Sequence, residues 1–220
     1  ALLNLAHEKG VFITEAIWTR YMPLSLKVMQ LIKDGAIGRP RQISASLCYA
    51  MEFKERIVRP DLCGGALLDL GVYSINFARM FFGTDIVKSN SMCIKNDTGI
   101  DLYNNVILQW ADGKVANLQS SCLSRCNRQG LITGDDGYIV IDNINCPERA
   151  RVYDADYKLV AEYLPEPDQV NGYEYQVIAC KEAMDQGLLE SPYMPHEETL
   201  SIMKQMDALR KEWGVVYPMD

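Results

Sequence analysis

The sequence has few histidines, no basic run and no long hydrophobic stretch. Histidine occurs only at His7 and His196, and no His-Glu-x-x-His spacing is present, which argues against a zinc site. No run of Lys and Arg exceeds two residues and the net charge is -7, so the basic surface that a phosphate backbone requires is missing. No segment approaches the roughly 18 consecutive apolar residues of a membrane-spanning helix. We therefore expect no metal, nucleic acid or membrane as a partner.

The composition is that of an ordinary folded protein. Of 220 residues, 48% are hydrophobic and 23% are charged, and a chain of this length forms one large domain or two small ones. Such a chain buries roughly 70% of its unfolded surface, enough for a core without disulfides. The seven cysteines are odd in number and scattered through apolar stretches, as free thiols in a reducing compartment are. This pattern predicts a cytoplasmic protein.

The first 17 residues are predicted to be the end of another domain. Residues 1–10 have helical apolar spacing and end at Gly10, but no capping residue precedes them. Residues 11–16 are mostly apolar and are predicted to form a short strand of a parallel sheet. A helix followed by such a strand closes a βαβ unit, which indicates the remainder of a truncated α/β domain. The alternative is a native terminus that frays.

The rest of the chain is predicted to be an α+β domain. Strands come mostly in succession, which favours a large, predominantly antiparallel open sheet with helices on one face. The predicted helices span 21–32, 66–82, 168–186 and 196–213, and the predicted strands span 41–51, 86–94, 103–110, 114–123, 128–133, 137–142, 150–154 and 158–163.

One alternating face of three predicted strands is polar but uncharged. Solvated sheet faces normally carry Lys and Glu, and depletion of charge is typical of interface centres. We expect this face to pack against a second copy of the chain, and the alternative is that loops or helices of the same chain cover it. The face consists of Gln42, Ser44 and Ser46, then Asn105 and Gln109, then Asn117, Gln119 and Ser121.

A nearly apolar predicted helix carries three polar side chains on one side. At 100° per residue, Asp69, Tyr73 and Asn76 fall within about 60° of arc, which predicts that they line a cavity. A phenol can donate a proton to a carbonyl oxygen that becomes an alcohol if a nearby cation lowers its pKa, and Asp69 could orient a substrate hydroxyl or balance that cation. No residue here can carry a hydride. The alternative is a buried Tyr and Asp bonded to backbone groups.

A second polar cluster follows the predicted strand at 11–16. The carboxyl end of such a strand is where open α/β sheets bind ligands. Trp18 could supply a stacking plane and Arg20 an anion contact, with Glu15 beside them. A structural Trp and an ion-paired Arg are the alternative.

Together these segments resemble the glucose-fructose oxidoreductase, inositol dehydrogenase and MocA family of nicotinamide-dependent dehydrogenases. Within it the likeness is greatest to the dimeric dihydrodiol dehydrogenase branch, and it covers essentially the whole chain. The matching segments are Glu15-Ala16-x-Trp18-Thr19-Arg20-Tyr21-x-Pro23, Ile37-Gly38-x-Pro40, Gly64-Gly65-x-Leu67-Leu68-Asp69-x-Gly71-x-Tyr73 and Met194-Pro195-His196-Glu197-Glu198-Thr199.

The resemblance implies an N-terminal Rossmann domain that binds NAD or NADP and ends at residues 1–17. Residues 18–220 would then form the C-terminal substrate-binding and dimerisation domain, with Tyr73 as acid/base and Asp69 as its supporting carboxylate. Glu15, Trp18 and Arg20 would lie beside the cofactor.

Trp18, Arg20 and Asn76 would contact the substrate. The family's Gly-x-Gly-x-x-Gly loop and Glu-Lys-Pro segment are absent. Cys63 stands where many relatives have a third glycine, and Asn76 where many have Asp or His.

These observations predict the catalytic part of an NAD(P)-dependent dehydrogenase that acts on a secondary alcohol or diol. A sugar, polyol or cyclic diol is the expected substrate, and this chain alone is expected to be inactive. Two alternatives stay open: a non-catalytic module that senses a sugar or sugar nucleotide and dimerises, and a hydrolase that uses Glu15 and Asp69 as paired carboxylates.

Overall fold

An eight-stranded sheet with helices against one face organises the chain in a computed structural model that describes residues 2–220. The helices are α1 (Leu2–Lys9), α2 (Pro23–Lys33), α3 (Glu55–Val58), α4 (Val72–Phe82), α5 (Tyr173–Asp185) and α6 (His196–Trp213). The strands are β1 (Pro40–Cys48), β2 (Ile86–Lys95), β3 (Asp101–Trp110), β4 (Val115–Ser121), β5 (Gly130–Gly134), β6 (Gly137–Asp142), β7 (Arg149–Asp154) and β8 (Leu159–Tyr163). Two short 3₁₀ turns, Trp18–Tyr21 and Pro60–Leu62, and a π-helical turn, Leu67–Gly71, complete the regular structure.

The sheet order is β2-β3-β4-β1-β5-β6-β7-β8, and the interior strands β1 and β4 are its only parallel neighbours within residues 2–220. Ser44 of β1 lies opposite Asn117 of β4 on one side and opposite Leu131 of β5 on the other. A parallel pair needs a crossover connection, and the segment between β1 and β4, which includes α4, β2 and β3, provides it. The α+β prediction with a mostly antiparallel open sheet is confirmed.

The core lies between the sheet and α4. Alternate strand residues such as Ile43, Leu108 and Leu118 are fully or almost fully buried and belong to the same cluster as Ile75 and Phe77 of α4. Burial of one such side chain stabilises the fold by about 1.5–3 kcal/mol. Because α4 is buried along most of its length, its position over the sheet is fixed by packing.

Residues 11–16 do not form the predicted strand. A strand needs a hydrogen-bonded neighbour in a sheet, and here Ile13 N–H donates instead to Leu189 O at 3.1 Å, while His196 Nε2 lies 2.8 Å from Ile13 O. The segment is therefore held by the loop before α6 and by the first residue of that helix. The predicted helix at 168–186 begins later, at Tyr173, because Gly172 has a left-handed φ of 90°.

The sheet face opposite the helices is open. Ser44, Asn105, Asn117 and Gln119 are half-exposed and line a shallow cavity of about 380 Å³. Ser121 is the exception, because its side chain is buried and accepts the Leu123 N–H at 3.1 Å. The alternative that the same chain covers this face is wrong for residues 2–220. None of the helices in that range is both long and apolar enough to cross a bilayer.

Candidate active site

The segment that carries Asp69 and Tyr73 begins at two tightly packed glycines. Gly65 has a φ of 124°, and a Cβ there would overlap the carboxylate oxygen Oδ1 of Asp101. The other oxygen, Asp101 Oδ2, accepts the Leu67 N–H at 2.7 Å and the Asn104 Nδ2–H at 3.0 Å. Because Gly65 has no side chain, the Asp101 carboxylate of β3 can approach the backbone closely enough to accept the Leu67 N–H.

Asp101 is a buried carboxylate. Burial raises its pKa to about 6, although the Asn104 amide and the Leu67 N–H both favour the ionised form. Its second oxygen, Oδ1, has no hydrogen-bond partner among residues 2–220. Asp101 thus anchors the start of the helical segment that carries Asp69 and Tyr73, although one oxygen of the Asp101 carboxylate has no hydrogen-bond donor within residues 2–220.

A π-helical turn changes the predicted geometry of the three polar residues. Leu67–Gly71 is bonded from i to i+5, and the Val72 N–H donates to Leu67 O, so the spacing of 100° per residue does not hold across Asp69 and Tyr73. Asn76 is fully buried, accepts a hydrogen bond from Arg20 Nε at 2.6 Å and donates one to Val72 O at 2.8 Å. The prediction that Asn76 contacts substrate is therefore wrong, because its amide is fully buried and bonded in the interior.

The Tyr73 hydroxyl meets the second predicted cluster. Trp18 Nε1 donates to the Tyr73 hydroxyl oxygen at 3.3 Å, although 55 residues separate the two side chains. The Trp18 ring is 7% exposed and stacks on Tyr173, with ring centroids 4.2 Å apart. Tyr173 begins α5, so three separate elements meet at this hydroxyl.

Burial raises the pKa of the half-buried Tyr73 phenol above its ordinary value of 10, and the Trp18 hydrogen bond opposes this shift. The nearby acidic groups Tyr173, Asp69 and Tyr49 raise the pKa further. The expected lowering of the pKa by a cation is not found within residues 2–220. Tyr73 is consequently a protonated phenol at neutral pH.

Asp69 is paired with an arginine that the sequence analysis did not identify. Arg56 Nη1 and Nη2 both donate to the half-buried Asp69 carboxylate, the second at 3.3 Å. Tyr49 is a further neighbour of Tyr73 that the sequence analysis did not identify. Its hydroxyl accepts a hydrogen bond from Arg128 at 3.3 Å. No motif or helical spacing marks these residues, because tertiary folding alone brings them to the site.

Arg20 is buried in an ion pair and is not available for the predicted contacts, whereas Glu15 lies near Arg20 as predicted. Arg20 is 8% exposed, and its Nη2 donates to Glu198 Oε1 at 2.6 Å. The alternative of an ion-paired structural arginine is thus correct, and the predicted anion contact is wrong. Glu15 is half-buried near Thr199; burial raises its pKa, and its Oε2 lacks a partner within residues 2–220. Glu15 and Asp69 have different neighbours and form no carboxylate pair.

Tyr73 and Asp69 lie on a half-open surface. One cavity of about 520 Å³ lies between α2 and α4, and four others have volumes of about 270–400 Å³. Neither Tyr73 nor Asp69 lines any of these five cavities, so the enclosed pocket at Tyr73 stays a prediction. The same residues contain no group of three His, Cys, Asp or Glu side chains that could hold a metal ion.

The open, mostly antiparallel sheet with helices on one face makes this chain an α+β domain. Residues 25–140 match the family model described as GFO/IDH/MocA C-terminal domain, and the chain belongs to this family.

Curated relatives include trans-1,2-dihydrobenzene-1,2-diol dehydrogenase of Danio rerio, 28% identical over 229 residues. Another is scyllo-inositol 2-dehydrogenase (NADP(+)) of Bacillus subtilis (strain 168), 32% identical over 228 residues. Both alignments cover 100% of this chain and 67% of the relative.

Solved structures show the same fold at low identity. Aldose-aldose oxidoreductase from Caulobacter crescentus, complexed with glycerol, has a TM-score of 0.81 at 22% identity, over 93% of this chain and 62% of that one. A 3-ketoreductase from Actinomadura kijaniata, solved with NADP and TDP-benzene, has a TM-score of 0.80 at 22% identity, over 96% of this chain and 65% of that one. This chain therefore spans less than two thirds of either solved protein.

Proposed function

We propose that this chain is the C-terminal catalytic domain of an NAD(P)-dependent oxidoreductase that acts on a secondary alcohol or diol. The observation that carries the proposal is the Tyr73 hydroxyl, held by the Trp18 indole N–H at 3.3 Å beside the Asp69 carboxylate. The names of the relatives, which are dehydrogenases of a diol and of an inositol, support a polyol, sugar or cyclic diol as substrate.

Tyr73 moves the proton in the proposed reaction. Its raised pKa keeps the phenol protonated at neutral pH, ready to give the proton to a carbonyl oxygen that becomes a hydroxyl. In the oxidative direction the phenolate takes the proton from the alcohol, and because the raised pKa makes the phenolate scarce at neutral pH, this direction is favoured at higher pH. A nicotinamide, when bound, accepts or supplies the hydride. The Asp69 carboxylate, held by Arg56, has the acceptor capacity to orient substrate hydroxyls.

Residues 2–220 do not form a site for the cofactor's pyrophosphate. No Gly-x-Gly-x-x-Gly occurs, and Arg20 is bonded in the interior. In this proposal a Rossmann domain, of which residues 1–17 are the last part, holds NAD or NADP and encloses the surface at Tyr73. Residues 18–220 are the substrate-binding domain. This chain alone is then inactive.

The open sheet face supports a homodimer. Its central side chains carry no charge: small hydroxyl and amide groups lie beside the apolar Leu131 and Val140, and Ile107 in the same face is 39% exposed. Charges appear toward the sheet edges, at Lys88 of β2 and at Arg151 of β7. A charge-free centre with a charged rim is the usual anatomy of a protein interface. All seven cysteines are free thiols, which supports a reducing compartment, and we place the protein in the cytoplasm.

The test compares this chain with the protein encoded by the complete gene. Both are assayed with NAD+ and NADP+ against a panel of cyclic diols, inositols and aldoses. We expect the complete protein to reduce one cofactor with at least one substrate and this chain to reduce neither. Ligand binding by the complete protein without turnover indicates a sensing module instead, and cofactor-free hydrolysis indicates a hydrolase.

A further inference from the structure

A buried cluster of charged and amide side chains lies behind the proposed active site. Glu198 of α6 accepts hydrogen bonds from two arginines: Arg20 Nη2 at 2.6 Å, and Arg79 through Nε at 2.9 Å and Nη2 at 2.6 Å. Arg20 also donates from Nε to Asn76 Oδ1 at 2.6 Å. All four residues are at most 8% exposed. We call Arg20, Asn76, Arg79 and Glu198 the arginine clamp.

The clamp joins the two segments whose side chains meet at the Tyr73 hydroxyl. Arg20 lies two residues after Trp18 in the same 3₁₀ turn, and Asn76 lies three residues after Tyr73 on α4. The Asn76 amide donates its other hydrogen bond to Val72 O, the carbonyl immediately before Tyr73. The Arg20–Asn76 bond is therefore a direct link between the turn of Trp18 and the backbone of Tyr73.

Stability alone does not account for such a cluster. Burial acts to raise the pKa of Glu198, but Arg79 and Arg20 outweigh it, so the pKa lies below its ordinary value and the carboxylate is ionised. Well-packed apolar side chains usually stabilise a core as well as a buried ion pair does, whereas directional ion pairs select one relative position of the elements they join. Two arginines that share one carboxylate fix the turn, α4 and α6 relative to one another.

We propose that the arginine clamp positions the Trp18 indole against the Tyr73 hydroxyl, with Arg20, Asn76 and Glu198 as positioning residues of the reaction. This inference rests on the proposed function of Tyr73 and adds residues that touch neither substrate nor cofactor. The clamp sets the orientation of the phenol oxygen, and a displacement of about 1 Å at a reacting group costs up to about 100-fold in rate.

The first readout is spectroscopic and needs no activity. The Trp18 indole N–H signal is identified in a ¹⁵N–¹H spectrum of this chain by its loss in Trp18→Phe. Arg20→Lys keeps the positive charge but cannot donate to Asn76 and Glu198 in the same fork geometry, so we expect the Trp18 signal to move. Gln205→Ala is the matched control: it removes the 3.4 Å hydrogen bond that Arg79 Nη1 donates to a residue outside the clamp, leaves the bonds of Arg79 Nε and Nη2 to Glu198 in place, and should leave the signal unchanged.

The second readout is kinetic, in the complete protein. Arg20→Lys should lower kcat by about 10-fold or more while KM changes by less than about 3-fold, and Gln205→Ala should change neither. If Arg20→Lys does not fold, Asn76→Leu, which leaves the Arg20–Glu198 pair in place, replaces it. Failure of both variants to fold means that the cluster serves stability, and the proposal is overturned.

The outcomes separate this inference from the proposed function. A folded variant whose Trp18 signal and kcat are both unchanged overturns the clamp but leaves the oxidoreductase proposal standing. A shifted Trp18 signal in a protein that shows no turnover even as wild type supports the clamp and contradicts the proposed function.

Discussion

At the scale of single residues, the protonation of Tyr73 decides what the site can do. Burial raises the pKa of the phenol and the Trp18 N–H, which favours the phenolate, lowers it. Tyr73 in this chain should therefore titrate above pH 10. In Trp18→Phe the opposing hydrogen bond is gone, and the pKa should rise further. The measurement is the pH dependence of the Tyr73 ¹³Cζ signal, assigned with Tyr73→Phe. A Tyr73 pKa that stays the same or falls in Trp18→Phe contradicts this account.

The sequence predicted part of this residue set for a physical reason. Asp69 and Tyr73 stood out because polar side chains on an otherwise apolar helix need a polar environment, and Trp18 because it follows an apolar segment. Arg56 and Tyr173 carry no such mark, since they reach the site only through tertiary contacts. Arg20 was predicted to contact cofactor and substrate because a sequence shows that a residue is charged but not that its side chain is buried.

At the scale of elements, the close packing of Gly65 on Asp101 fixes where the helical segment that carries Asp69 and Tyr73 begins. Gly65→Ala places a side chain in a left-handed backbone conformation and against the Asp101 carboxylate, so we expect a loss of about 2–3 kcal/mol in the free energy of unfolding. Gly113→Ala is the control, because Gly113 also has a positive φ, 89°, but faces open space, and it should cost about 1 kcal/mol. Urea denaturation measures both values. Equal losses in the two variants would show that the contact with Asp101 is unimportant.

The Asp101 carboxylate makes the anchoring of this helix pH-dependent. Its pKa in the folded chain, about 6, lies above the ordinary value of 3.8, so the folded state binds the proton more tightly than the unfolded state. This contribution to stability is complete below about pH 4 and is lost as the pH rises through 6. Asp101→Asn removes the titration. The free energy of unfolding of the variant relative to wild type should thus increase by about 2–3 kcal/mol between pH 4 and pH 7. A difference that is constant over this range contradicts a raised pKa.

Two predictions at this scale failed because local pattern does not determine backbone geometry. The angle predicted between Asp69 and Tyr73 assumed a regular α-helix, but the turn at Leu67–Gly71 is π-helical. Residues 11–16 have the composition of a buried strand, yet strand formation requires a pairing partner. Most sheet elements were predicted correctly because alternation and turn residues such as Asp112-Gly113 mark them directly.

At the scale of the whole molecule, the open sheet face is the surface that the sequence assigns to a second copy of the chain. If two copies pair through it, a charge at its centre is buried without a partner. Asn117→Arg should therefore dissociate the dimer, and Gln186→Arg, at the end of α5 away from the sheet, should not. Sedimentation equilibrium on this chain measures the result. A monomeric wild type, or a dimer that Asn117→Arg leaves intact, is incompatible with the proposed interface.

The overall architecture was more predictable than the enclosure of the site. Strand succession and helix periodicity are local and specify an α+β domain, whereas a cavity at Tyr73 depends on surfaces brought together from distant parts of a protein. The relatives exceed this chain in length, since it covers 67% of each, and the proposed Rossmann domain is what would close the site.

The central claim is that the Tyr73 hydroxyl transfers the proton, and the most direct test is the turnover of Tyr73→Phe in the complete protein. This change removes one oxygen atom from a half-buried ring and should leave the fold intact. General acid–base catalysis contributes about 10² to 10⁴ in rate, so we expect kcat to fall by at least about 100-fold with little change in substrate affinity. A Tyr73→Phe protein that retains the wild-type kcat within about threefold would contradict the account.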